Sequence, residues 1–177
     1  MLNSDQKLNN RIKELLFRTC KVLDAFLPLD NKNGNFPLLE AHNGPYNDKE
    51  TIYRSCAHIS IIYNMAYKIT SNEKYLRRSQ QFFDLIISDI YKNEFKVPFK
   101  HRNPDKKGRD ITNGVIGDAW ILEAYTNICK ISDDKRYLDF AIELCSNYHF
   151  SENDGFFYSI NSPFKKDKTY NHHLWLN

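Results

Sequence analysis

The stretch Ala57–Leu76 reads AHISIIYNMAYKITSNEKYL, and the stretch Ala119–Leu138 reads AWILEAYTNICKISDDKRYL. Ala57, Ile59, Tyr63, Lys68, Ile69, Tyr75 and Leu76 recur 62 residues later as Ala119, Ile121, Tyr125, Lys130, Ile131, Tyr137 and Leu138. Each stretch reads as helix, short turn, helix. A fixed period marks an architecture built by stacking one unit. This period is longer than that of the common helical solenoids.

Working outward, Leu8, Ile12, Leu15, Thr19, Val22 and Phe26 advance by four and three in turn. That spacing predicts a helix over about Ser4–Phe26 with one apolar stripe. Ser4 or Asp5 can cap it and Pro28 stops it. A long loop is expected over about 30–48, then helix two over about Thr51–Thr70. Ser71-Asn72 makes the turn, and Asn72 can cap helix three, with Tyr75, Ser79, Phe82, Phe83, Ile86 and Ile90 facing inward. A basic loop follows over about 91–112, then helix four (about Asn113–Ile131) and helix five (about Asp134–Tyr148). A further loop contains the turn-like Glu152-Asn153-Asp154-Gly155, and Tyr170–Asn177 reads as the start of a sixth helix.

Helices two and four are apolar on several sides, which predicts burial on both faces. Helices three and five keep a charged face, through Glu73, Lys74, Arg77 and Arg78, and through Asp134, Lys135, Arg136 and Glu143. One helix of each pair is thus inner and the other outer. The expectation is an all-α fold, an incomplete α/α toroid of about two and a half hairpins. It forms a single domain over 1–177, incomplete at its C-terminal side.

Bulk composition excludes several classes. The chain has 177 residues, 14% of them aromatic, which argues against disorder. A formal charge of +3 is too mild to predict nucleic-acid binding. The four cysteines have no metal-ligand or disulfide spacing, and three sit on apolar helical positions as small hydrophobes. No signal peptide or membrane span is read, so a reducing, cytoplasmic setting is expected. No metal or cofactor is expected.

Asp110–Trp120, DITNGVIGDAW, resembles the segment that opens an inner helix in six-hairpin (α/α)6 carbohydrate-active proteins. Tyr170–Trp175, YNHHLW, resembles the opening of their next inner helix. The nearest likeness is to uncharacterised toroid proteins encoded with bacterial surface-polysaccharide genes. Those carry Asn-Gly-x-Ile-Gly-x-Ala-Trp, then Asn-His-x-Leu-Trp one hairpin later. The match spans roughly 50–177. It implies a carbohydrate-active protein, glycoside hydrolase-like, acting on or binding bacterial polysaccharide or oligosaccharide. Lanthionine cyclases and sugar 2-epimerases share the fold, but the cyclases' zinc ligands and the epimerases' motifs are not found here. A closed ring needs six pairs of about 60 residues, roughly twice this chain. A fragment, a truncated product or a subunit is therefore expected, with self-association through the open edge.

In such a ring the inner helix starts share one funnel, and a helix start offers free N–H groups to hydroxyls and anions. The candidate catalytic residues are Asp110, Asp118, His172 and His173. Two carboxyls suit glycoside hydrolysis, and histidine titrates near neutrality. Capping by Asp110 and a buried structural pair for Asp118, with an arginine, are the competing readings. Arg54, His58, Arg109, Asn113, Trp120, Asn171 and Trp175 are candidate sugar-binding residues, the indoles for stacking on a sugar face. Inter-helix packing competes for both tryptophans. The basic loop, with Lys96 and Arg109, could draw in an anionic glycan or simply be solvated. A non-catalytic binding or assembly module and a sugar epimerase remain alternatives.

Overall fold

The computed structural model describes residues 4–27, 52–92, 115–160 and 174. The described part is all-α but for one small hairpin. Helix α1 runs Ser4–Phe26, α2 Ile52–Thr70, α3 Glu73–Lys92, α4 Val115–Ile128 and α5 Lys135–Ser146. Strands β1 (Tyr148–Ser151) and β2 (Phe156–Ser159) pair antiparallel. The expected loop over 30–48 lies outside the described residues, as does the one over 91–112 except for its first two residues, which instead end α3. Of the expected sixth helix only Leu174 is described, and it is helical.

The turns follow from local chemistry. The Asn72 side chain accepts from the Lys74 amide at 3.0 Å, and Asp134 accepts from the Arg136 amide at 3.0 Å. Each satisfies an N–H that the helix start leaves free. Ser71 takes a left-handed backbone, φ 52, and its amide reaches the Tyr67 carbonyl at 2.7 Å. Helix α4 stops at Ile128, short of the expected Ile131, because Cys129–Ile131 turn toward α5.

The helices pack in pairs joined by short turns. Helix α2 packs on α3 and α4, and α4 packs on α5. Ser79, Phe82, Phe83 and Ile86 of α3 are buried as the pattern predicts, and Tyr75 is half-buried. Aromatic rings fill the space between layers. Tyr63 stacks on Phe82 (5.9 Å between centroids), and Tyr125 lies 4.9 Å from Phe140 and 4.7 Å from Phe83. Such pairs add about 0.5–1.5 kcal/mol each beyond the area they bury.

Three features depart from expectation. Arg78, read on the charged face of its helix, is only 4% exposed. It lies over the rings of Tyr63 and Phe82, and its Nε is 3.3 Å from Asp24 Oδ1. Asp24 on α1 also accepts from Lys74 Nζ and Tyr63 Oη, each at 2.7 Å, and this carboxylate draws the guanidinium inward. Second, α1 buries Cys20, Leu23 and Leu27, whereas Leu8, Ile12, Leu15, Val22 and Phe26 stay exposed. Third, helix five ends at Ser146, and Tyr148 opens a β-hairpin where a loop was expected. Phe150 meets Phe157 at 5.0 Å across the two strands, and Gly155, φ 71, closes the turn. Among the cysteines, Cys20 and Cys56 are buried, Cys129 is half-buried, Cys145 is exposed, and all four are free thiols.

Candidate functional site

The 62-residue period places Cys56 opposite Asp118, and His58 opposite Trp120, in the two inner helices. Cys56 is fully buried, as a small apolar side chain should be at that position. Asp118 occupies the equivalent space with a carboxyl, and it is 3% exposed. It lies in the first turn of α4. Its Oδ2 accepts a 2.6 Å hydrogen bond from Tyr148 Oη, and its Oδ1 has no hydrogen-bond partner among the described residues. The partner is thus a phenol, where an arginine was the expected structural mate.

Burial dominates the electrostatics here. Removal from water raises the Asp118 pKa to about 7, and the Tyr148 hydrogen bond only partly opposes this. The group is neutral through the acidic range and changes charge near neutrality. The Cys145 thiol on α5, though the residue is exposed, is raised by partial desolvation of the thiol and then by the Asp118 charge. A buried carboxyl with a raised pKa is a departure of the kind that clusters at functional sites, and structural networks produce it too.

His58 and Trp120 form a second cluster. Their rings meet edge-on at 5.8 Å, joining α2 to α4. Both side chains are half-buried. Asp118 and Trp120 are two residues apart on one helix, so they leave it in directions about 160° apart. The fold therefore builds two separate groupings near these helix starts. One holds Asp118 and Tyr148, and the other holds His58 and Trp120. Asp110, Arg109, Asn113, Asn171, His172, His173 and Trp175 lie outside the described residues, as does the side chain of Arg54.

Tyr148 was missed because it was read as the last residue of helix five. The signal that could have found it is the cost of a lone buried carboxyl, which demands a donor from a neighbouring element.

The chain is similar to a known glycosylation protein. It is 27% identical over 156 residues to "Archaeal glycosylation protein Q" from Haloferax volcanii, an alignment covering 86% of this chain. The same alignment covers 41% of the relative, so the chain spans about two fifths of that protein's length. No family model matches, and no solved structure matches. Among the described residues no helix is long and apolar enough to cross a membrane, and no group of three or more His, Cys, Asp or Glu could hold a metal ion.

Proposed function

We propose that this protein is a carbohydrate-active component of glycosylation, built as part of an α/α toroid and acting as a glycoside hydrolase-like enzyme. The observation that supports the reading is Asp118, a buried carboxyl in the first turn of α4 whose Oδ1 has no hydrogen-bond partner among the described residues. With its pKa raised to about 7, it is protonated in the range where a general acid must still hold its proton. Asp118 donates that proton to the glycosidic oxygen as the C–O bond breaks, and water adds to the sugar carbon as it gives its proton to the Asp110 carboxylate. Asp110 is the second carboxyl in this scheme, and one of His172 or His173 assists. Arg54, Arg109, Asn113, Asn171 and Trp175 are the proposed sugar-binding residues. The relative's name, and the motif likeness around Asn113–Trp120, support the same substrate class.

A second reading has its own observation. His58 and Trp120 come from equivalent positions of two inner helices and touch, while Asp118 leaves α4 on another side. That arrangement favours a non-catalytic glycan-binding module whose platform is the Trp120 indole.

One experiment separates them. Acidic and neutral oligosaccharides are assayed for binding and for release of reducing ends, with the wild type, Asp118→Asn and Trp120→Ala. The enzyme reading expects turnover that Asp118→Asn abolishes without loss of fold. Turnover unchanged in Asp118→Asn sinks it. Binding without turnover, lost in Trp120→Ala, establishes the module instead.

A further inference from the structure

Helices α1 and α3 are anchored in the same way. Asp24 of α1 pairs with Lys74 at 2.7 Å, and Asp84 of α3 pairs with Arg136 at 3.6 Å. Lys74 and Arg136 are equivalent across the 62-residue period. Each aspartate also accepts from a tyrosine of the next hairpin, Tyr63 at 2.7 Å and Tyr137 at 3.5 Å. The two aspartates therefore give a common origin for comparing the helices.

Residues five before, two before and two after that origin share one helix face. On α3 they are Ser79, Phe82 and Ile86, all buried. Ser79 Oγ donates to the Ser60 carbonyl of α2 at 3.2 Å, and Phe82 stacks on Tyr63 of α2. This is the face that an outer helix turns to its inner helix. On α1 the same positions are Thr19, Val22 and Phe26. Val22 is 48% exposed and Phe26 55%, and the stripe continues through Leu15 (53%), Ile12 (49%) and Leu8 (59%). Helix α1 thus presents the face that α3 buries.

The stripe also states what fits it. Its steps of four and three are a seven-residue repeat, the spacing of a seam between two packed helices. Arg11 and Arg18 border it one heptad apart, with Lys7 beside them. A second copy of α1 laid antiparallel would bring these arginines against their own counterparts, which is repulsive. We infer that the exposed face of α1 is a docking seam for a different helix. That partner is an apolar helix of the inner type, with carboxylates along the flank facing Arg11 and Arg18, supplied by a further hairpin of the same architecture. The relative, of which this chain spans 41%, has the length to contain further hairpins. The inference is independent of the glycan reading and survives its failure.

The probe is a 19-residue peptide of the α2 sequence, Ile52–Thr70, carrying Arg54→Glu and Lys68→Glu. Its binding to the 177-residue protein is read by fluorescence anisotropy. Saturable binding is expected, weakened at least about tenfold by Leu15→Lys in the protein. The unmodified peptide, which keeps Arg54 and Lys68, should bind about tenfold more weakly, and Arg11→Glu with Arg18→Glu should reverse that preference. These protein side chains are exposed, and circular dichroism checks that each variant folds. If Leu15→Lys does not fold, the charge reversal alone decides. Absence of binding, or binding indifferent to both changes, overturns the inference. A wild-type dimer in light scattering that Leu15→Lys converts to monomer also overturns it, since the occupant is then a second copy.

Discussion

The two hairpins use one frame and fill it differently. Tyr63 and Tyr125 are fully buried at equivalent points, and Lys74 and Arg136 reach back to the preceding outer helix from equivalent points. The first hairpin then places Cys56 and Arg78 where the second places Asp118 and Phe140. All four are buried. Each hairpin therefore hides one ionisable group of unusual cost, at opposite ends of the pair. In the first, Arg78 stands among aromatic rings beside an aspartate. In the second, Asp118 stands beside a phenol, and its other oxygen has no partner among the described residues. The first group is matched by an opposite charge and reads as a fastening. The second has no charged mate among its described partners and reads as a working group.

The largest expected effect separates the two groups by pH. Folded Asp118 titrates near 7, whereas an aspartate in water ordinarily titrates at 3.8. Between those values the folded chain binds the extra proton, so its stability falls as pH rises across the window and levels off above it. Asp118→Asn removes that fall. The variant should gain on the wild type by up to about 4 kcal/mol between pH 4 and pH 7, read from urea midpoints. A constant difference across that range would break the contrast.

Asp24 titrates in the other sense. Burial raises it, but the Lys74 and Tyr63 hydrogen bonds and the Lys74 and Arg78 charges outweigh burial and hold it below its ordinary value. Its contribution is present above the ordinary carboxylate range and is lost as pH falls. Asp24→Asn leaves Arg78 buried without its counter-charge, at a cost of about 3 kcal/mol at pH 7. Asp84→Asn, in the exposed pair with Arg136, should cost less than about 1 kcal/mol. Equal losses at the two sites would show that Arg78 is not what the first pair serves.

Much of this frame was legible beforehand. The inner residues of α3, the Asn72 cap and the turn at Ser71 followed from apolar spacing and from the few residue types that satisfy a free helix end. Arg78 was not legible, because helical spacing alone puts an arginine on a charged face. What buries it is Asp24, 54 positions away in sequence. The α1 stripe was legible as a stripe, yet its spacing could not say whether anything covers it. For Asp118 the sequence marks an odd carboxylate in an apolar helix, but its donor, Tyr148, reads as the end of helix five and instead opens a β-hairpin. The proposed second carboxyl, Asp110, and the histidine pair lie outside the described residues.

A smaller effect tests how Asp118 is held. Tyr148→Phe deletes the 2.6 Å hydrogen bond and should cost about 1 kcal/mol by denaturation. Because that bond lowers the Asp118 pKa, its loss should move the titration upward. A downward move would mean that Tyr148 favours the neutral acid.

The central claim is that burial keeps Asp118 neutral and ready to give a proton near pH 7. Its direct test is a carbon-13 titration of the Asp118 side-chain carboxyl in the folded protein, assigned by comparison with Asp118→Asn. The account predicts a midpoint of about 7. A midpoint at the ordinary carboxylate value of about 4 would contradict it.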